Sequence, residues 1–206
     1  RTSLGQGYRY PSVAEKFTQT QAGSVKIFPN PSLEPEQGWS VEAGLKQGFL
    51  FENFKGFADV AIFQTIYKNM MEFVFDIYAP GYTSPFPASI AKKYGGFKSL
   101  NIPGPARISG IEFSLVTEGK IGVIPFSLFF GYMYIDPIDL GFEKKYPDTL
   151  STASILKYRT LHNAKCGLDL RYKRFKTGIT SRYNSYIVNI DPDLDRALKG
   201  LDNYRK

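Results

Sequence analysis

The chain has 206 residues, a formal charge of +7, one cysteine and an aromatic share of 16%, carried by 14 Tyr and 17 Phe beside a single Trp. A lone Cys166 excludes an internal disulfide and a multi-cysteine zinc site, and the lack of any run of about eighteen apolar residues excludes a transmembrane helix. The basic residues are dispersed among apolar ones with no nucleic-acid-binding motif beside them, so no nucleic-acid partner is expected.

In chain order, the first element expected is a partial strand at 1–6, followed by a long link over about 8–38. Residues 39–47 then alternate: Trp39, Val41, Ala43 and Leu45 share one face, and Ser40, Glu42, Gly44 and Lys46 share the other. Successive side chains of a strand point to opposite faces, whereas a helix of 3.6 residues per turn would mix the two sets. After a short link at 48–55, residues 56–75 read as strand with an ambiguous facing. Ala58, Val60, Ile62 and Ile66 suit an apolar side opposite Asp59, yet Gln64 and Lys68 share it.

A long, proline-rich link covers 76–105. Two further strands follow, 108–116 with Ile111, Phe113 and Leu115 opposite Glu112 and Ser114, and 124–134 with an aromatic face including Phe126, Phe130, Tyr132 and Tyr134. The link between them, 118–122, is short, and the next, 136–156, is long. Residues 157–172 place Tyr158, His162, Cys166 and Leu170 on one face and Lys157, Arg159, Lys165, Asp169 and Arg171 on the other. A short link at 173–176 leads into a strand at 175–188, where Ile179, Tyr183 and Ile187 oppose Lys176, Thr180, Arg182 and Asn184, and a last long link starts near Asn189.

Links that alternate between short and long, with structureless stretches too long for a compact soluble domain, match an antiparallel transmembrane β-barrel. Such barrels have short turns at one end and long loops at the other. The chain opens on Arg-Thr-Ser with no initiator Met and no apolar stretch behind a basic start, so no signal peptide is read. A rival arrangement is a soluble β-sandwich acting as a carbohydrate-binding or adhesion module, with its apolar faces buried against each other.

The run G-Q-G-Y-R-Y-P-S-V-A-E-K-F at 5–17 resembles the "G-F-R-x-P-S-x-x-E" segment of TonB-dependent outer-membrane receptors. N-P-S-L-E-P-E-Q-G-W-S-V-E-A-G at 30–44 resembles the "N-P-x-L-x-P-E-x-x-x-x-x-E-x-G" signature of the same family. The resemblance implies a barrel of 22 strands closed by a plug, of which residues 1–206 would be one all-β fragment of about seven strands. The plug and the final strands are expected to lie outside it. It also implies an outer-membrane transporter and not an enzyme, with TonB, outer-membrane lipid and a small-molecule or oligosaccharide ligand as partners and no cofactor. The nutrient classes are siderophore-iron, cobalamin, haem or glycan.

Within that family reading, Glu42, Lys46, Glu112, Lys165, Asp169, Arg171 and Arg182 are expected to face the lumen. Tyr8, Arg9, Tyr10, Tyr82, Phe86, Tyr94 and Phe97 are the loop residues suited to ligand contact, because rings suit sugar faces and aromatic groups, and Arg suits carboxylates. Pro31, Leu33, Pro35 and Glu36 are read as shaping the chain into the strand at Trp39. No metal site is expected. The nearest to one is the D-P-D-L-D cluster of Asp191, Asp193 and Asp195, which could offer oxygen ligands to Ca²⁺ but lacks the Gly and later Glu of an EF-hand loop. His162, the one histidine, falls on an apolar face without metal-ligand neighbours, and Cys166 on that face is read as a small apolar filler.

Overall fold

A computed structural model describes residues 1–22, 25–81, 87–145, 152–191 and 194. In chain order the elements are β1 (Thr2–Arg9), α1 (Val13–Phe17), β2 (Thr20–Ala22), β3 (Val25–Phe28), β4 (Glu36–Leu50) and β5 (Phe54–Lys68). They continue with β6 (Met71–Ile77), α2 (Ala88–Tyr94), β7 (Gly95–Asn101), β8 (Ala106–Ile121), β9 (Ile124–Asp139), α3 (Leu140–Lys145), β10 (His162–Tyr172) and β11 (Phe175–Asn184). No helix among the described residues is long and apolar enough to cross a membrane.

The long strands form a 7-stranded sheet in the order β1-β4-β5-β8-β9-β10-β11, antiparallel throughout. Three short turns join neighbours at one end. The β8–β9 ladder closes at Ile121↔Ile124 around Gly122, whose φ of 62° suits a residue without Cβ. The β10–β11 ladder closes at Tyr172↔Phe175, with Lys173 at φ 52°. The β4–β5 turn is held by Phe51 N–H donating to Phe54 O at 2.8 Å.

One face of this sheet is apolar. The ladder Ala43↔Ile62↔Ile111↔Tyr134↔His162 runs across five strands, and Leu45↔Val60↔Phe113↔Tyr132↔Ala164 lies two residues further along. Phe113, Tyr132, Tyr134 and His162 are half-buried, but much of this face is open: Trp39 is 52% exposed, Leu45 70%, Ile62 56% and Ile179 69%. The rival sandwich would bury them, so that arrangement is not the one formed. The facing of β5 is resolved as well. Val60, Ile62 and Ile66 belong to the apolar face, and Gln64 is satisfied there by donating to Ser109 Oγ at 3.0 Å. Rings mark both ends of the face. Tyr132 and Tyr134 pack with His162 at centroid distances of 6.2 and 4.9 Å, and Phe49, Phe51 and Phe54 cluster beside the β4–β5 turn. Along β9 the distance from Ile124 to Tyr134, at about 3.3 Å per residue and a tilt near 40°, gives a height of roughly 25 Å, the depth of a barrel's lipid-facing band.

The long links differ from expectation, since they are not structureless. A second, 4-stranded sheet in the order β2-β3-β7-β6 takes β2, β3 and β7 from two of them and most of β6 from the stretch expected as strand, with β3 and β7 paired in parallel. The stretch 56–75, expected as one strand, is two: it breaks at Asn69, at φ 53°, where β5 leaves one sheet and β6 enters the other. The strand expected from Lys157 starts only at His162, because Tyr158 takes φ 58° and turns the chain. The strand expected to reach Val188 ends at Asn184.

Candidate functional site

Glu42, Lys46, Glu112, Lys165, Asp169, Arg171 and Arg182 all lie on the face opposite the apolar one. The ladder Lys46↔Asp59↔Ser114↔Gly131↔Lys165↔Arg182 runs across that polar face from β4 to β11. Arg1 bridges two of its acids, with Nε 3.1 Å from Glu42 Oε1 and an Nη 3.3 Å from Asp59 Oδ1. Lys46 Nζ sits 3.7 Å above the Phe57 ring. A recess of about 540 Å³ opens on this face, lined by Arg1, Asp59, Glu112, Lys165 and Arg182 among others.

The two sequence motifs meet at the end of the sheet where the long links lie. P-S-V-A-E forms the start of α1 as a capping box: Glu15 N–H donates to Ser12 Oγ at 3.2 Å, and Ser12 N–H donates to Glu15 Oε2 at 2.7 Å. Arg9 joins this box to the second motif, donating to Glu15 Oε1 at 2.7 Å and to both carboxylate oxygens of Glu36 at 2.7 and 3.2 Å. Its hydrogen bond, with a smaller share from the Ser12 backbone, holds the Glu15 carboxyl below the usual range. Glu36 is buried, and its Oε1 also accepts Met71 N–H at 2.5 Å.

The remainder of the second motif anchors the small sheet. Asn30 is buried and donates to Ser99 O at 2.9 Å, Leu33 is 3% exposed, and Asn101 donates to Glu34 O and Asn69 O. Asn30, Glu34 and Glu36 therefore form a clasp between the two sheets, with Leu33 buried beside them and Pro31 and Pro35 in the chain between.

A second connection is ionic and buried. Asp191, 1% exposed, accepts from Phe75 N–H of β6 at 2.7 Å and from Tyr158 OH at 2.6 Å, and it pairs with the Lys157 ammonium. Nearby, Glu72 faces Arg159 at 3.9 Å without hydrogen-bond geometry, leaving Glu72 Oε1 and Arg159 Nε buried and unpartnered. Burial pushes the Glu72 carboxyl above its ordinary range, with Arg159 and Lys157 opposing and Asp139 and Asp191 adding to the rise. Burial and the Asp191 hydrogen bond likewise raise Tyr158. Asp191 is thus occupied by three donors of the protein itself, while Asp193 and Asp195 lie outside the described residues. Among the described residues there is no group of His, Cys, Asp and Glu suited to a metal ion.

Five of the seven ring and arginine candidates lie among the described residues, at β1 and the residue after it, α2 and β7. Tyr8 is exposed on the apolar side of β1 and Tyr10 is exposed just beyond its end, while the Arg9 guanidinium is engaged with Glu36 and Glu15. Phe97 of β7 is stacked on Phe73 at 4.8 Å and 8°, and meets Phe75 edge-on at 5.1 Å. Tyr94 closes α2 with the Lys93 ammonium 5.1 Å above its ring. Tyr82 and Phe86 lie outside the described residues. Sequence reasoning passed over Glu72, Lys157, Tyr158 and Arg159 as a cluster. The helix α1 was passed over as well, inside the long link expected over 8–38, although S-x-x-E at Ser12 and Glu15 is a local signal for its start. The pairing of β6 with β7 that buries Glu72 has no local signal.

The family model described as TonB dependent receptor-like, beta-barrel, matches residues 1–202. No curated protein matches the chain. Among solved structures, the chain is similar to a double mutant of the hemophore receptor HasR of Serratia marcescens in complex with its hemophore HasA and heme. Identity is 25% and the TM-score 0.59, over 89% of this chain and 29% of that one. The chain thus spans 29% of the length of the receptor it matches.

Proposed function

This chain belongs to the TonB-dependent receptor β-barrel family, whose members are transporters and not enzymes, and from that premise we propose that it is a contiguous part of an outer-membrane barrel wall. The apolar face lies against lipid, and the polar face carrying Glu42, Lys46, Glu112, Lys165, Asp169, Arg171 and Arg182 lines the lumen. The short turns sit on the periplasmic side, and the end carrying the 4-stranded sheet faces outward. The plug and the segment that contacts TonB belong to other parts of the protein.

The observation that carries this reading is the ladder geometry itself. Six neighbouring strands keep their apolar side chains in line on one side, many of them exposed, while β4, β5, β8, β10 and β11 place charges on the other. An exposed apolar face of that extent is stable in lipid and a liability in water.

The whole protein, on this reading, takes up a scarce nutrient across the bacterial outer membrane, driven by TonB. Siderophore-iron, cobalamin, haem and glycan are the classes to test. The similarity to HasR, solved with HasA and heme, supports testing haem first. Tyr10, Tyr94 and Phe97 offer rings to such a ligand at the outward end, whereas Tyr8 stands on the lipid side of β1.

The test is expression of the full-length gene, membrane fractionation and electrophoresis with and without boiling. Recovery in the outer membrane with a boiling-dependent shift supports the reading. Recovery as a soluble protein without that shift overturns it.

A further inference from the structure

Two cations oppose each other across neighbouring strands of the polar face. Lys165 of β10 is the direct cross-strand partner of Arg182 of β11, a placement that holds Cβ atoms roughly 5 Å apart. Like charges so placed repel, and opposite signs are the stabilising arrangement. Elsewhere on this face Arg1 takes Glu42 and Asp59, and Lys55 takes Glu118 at 3.0 Å. Arg171↔Lys176, nearer the β10–β11 turn, is a second like-charge pair and lies outside the recess lined by Lys165 and Arg182. Among the described residues no carboxylate forms an ion pair with Lys165 or Arg182. The Lys165 ammonium is drawn only toward the Phe129 ring, 5.8 Å away.

The surroundings are those of an anion seat. Asn163↔Asn184 is the next pair along on the same face; Asn163 is engaged with Thr160, accepting from its Oγ1 at 3.1 Å, and Asn184 offers its carboxamide beside the cations. Opposite Lys165 stands Gly131, where a Cβ would meet the Phe129 ring at 3.1 Å, so the floor there is an aromatic ring and not a competing polar side chain. Lys165, Arg182, Asn163 and Asn184 all line the same recess of about 540 Å³, as do Glu112 and the Arg1-paired Asp59. An arginine fork can take both oxygens of a carboxylate, while a lysine supplies a compact charge from the side.

We propose that Lys165 and Arg182, flanked by Asn163 and Asn184, hold a carboxylate group on the polar face of the sheet. This rests on the reading of that face as the lumen wall. The carboxylate has two possible sources, an acidic side chain from another part of the same protein or a free carboxylate in the lumen.

The experiment uses the full-length protein in detergent, as wild type, Lys165→Gln, Arg182→Gln and Lys165→Arg, and reads the temperature at which the heat-modifiable band converts. Citrate is compared with sodium chloride at equal ionic strength. If the seat is filled from within, both glutamine variants convert roughly 2 °C or more below wild type, Lys165→Arg restores the wild-type value, and citrate adds nothing. If it takes a free carboxylate, citrate raises the wild-type temperature and fails to raise those of the glutamine variants. The proposal is overturned if both glutamine variants convert at or above the wild-type temperature and citrate acts on all four proteins alike. A missing heat-modifiable band in wild type would instead strike at the barrel reading itself.

Discussion

Arg9 Nε donates to Glu36 Oε2 at 2.7 Å across 27 residues of sequence, tying the end of β1 to the start of β4 beside the first rung of their ladder, Arg9↔Glu36. The same guanidinium reaches Glu15, so one side chain joins both motifs that identify the family. Glu36 is buried and Arg9 half-exposed. Removing Arg9 would leave a buried carboxylate with the Met71 amide as its remaining described partner. Arg9→Ala is expected to destabilise this end of the sheet by about 2 kcal/mol. Adding Glu36→Gln should cost less than the sum of the two single changes. A double-mutant cycle on the conversion temperature of the heat-modifiable band checks this, and strict additivity would argue against the clasp.

Asp191 holds the small sheet to the segment before β10 through three donors. Asp191→Asn keeps the shape but leaves the Lys157 ammonium without its partner, a cost of about 3 kcal/mol for a buried pair. The loss should be local, with faster hydrogen exchange in β6 and β7 and unchanged protection in β8 and β9. Uniform loss of protection across both sheets would show that Asp191 supports the whole fold instead.

Glu72 makes the small sheet sensitive to pH. Its carboxyl is raised by burial, so the charged form is penalised in the folded state. Its contribution is therefore fully present below the ordinary glutamate value, about pH 4.3, and is lost as pH rises through the raised folded value. Protection of the β6 amides, taken relative to the intrinsic exchange rate at each pH, should fall across that window in the wild type. In Glu72→Gln, which cannot ionise, this fall in protection should vanish. An identical profile in the two proteins would remove Glu72 from the account.

Gly110 lies where a Cβ would meet the Phe63 ring at 2.5 Å and Tyr134 O at 2.5 Å. The ring could shift, but the carbonyl belongs to the neighbouring strand. Gly110→Ala should destabilise the β8–β9 pairing by about 1–3 kcal/mol, lowering the conversion temperature. Gly5→Ala, with nothing within 4 Å of its added Cβ, serves as the control expected to leave it unchanged.

The spanning strands were legible because each alternates over many residues, as at Trp39, Val41, Ala43 and Leu45. The turns were legible because Gly122 and the Lys173–Arg174 pair punctuate them. The small sheet was not, for three physical reasons. β2 and β3 are too short to show a period, and β3 pairs with β7 in parallel across a long separation. The break at Asn69 also lacks the Gly or Pro that would mark it, since Asn tolerates positive φ without either. At Tyr158 the alternation runs straight through a turn, so a period-two pattern continued where the strand did not. The charged candidates on β4, β8, β10 and β11 could be assigned to one side from parity alone. The engagement of Arg9 with two carboxylates could not, because it depends on side-chain geometry between motifs.

The central claim is that the two faces of the long sheet meet different solvents, and Ile111 and Glu112 test it most directly, being adjacent in β8 and on opposite faces. Each is replaced by Cys in the full-length protein carrying Cys166→Ala, labelled with an environment-sensitive fluorophore and reconstituted in bilayers containing a lipid-borne quencher. The account predicts strong quenching of the label at position 111 and little at position 112. Equal quenching at the two positions, or the reverse order, would contradict it.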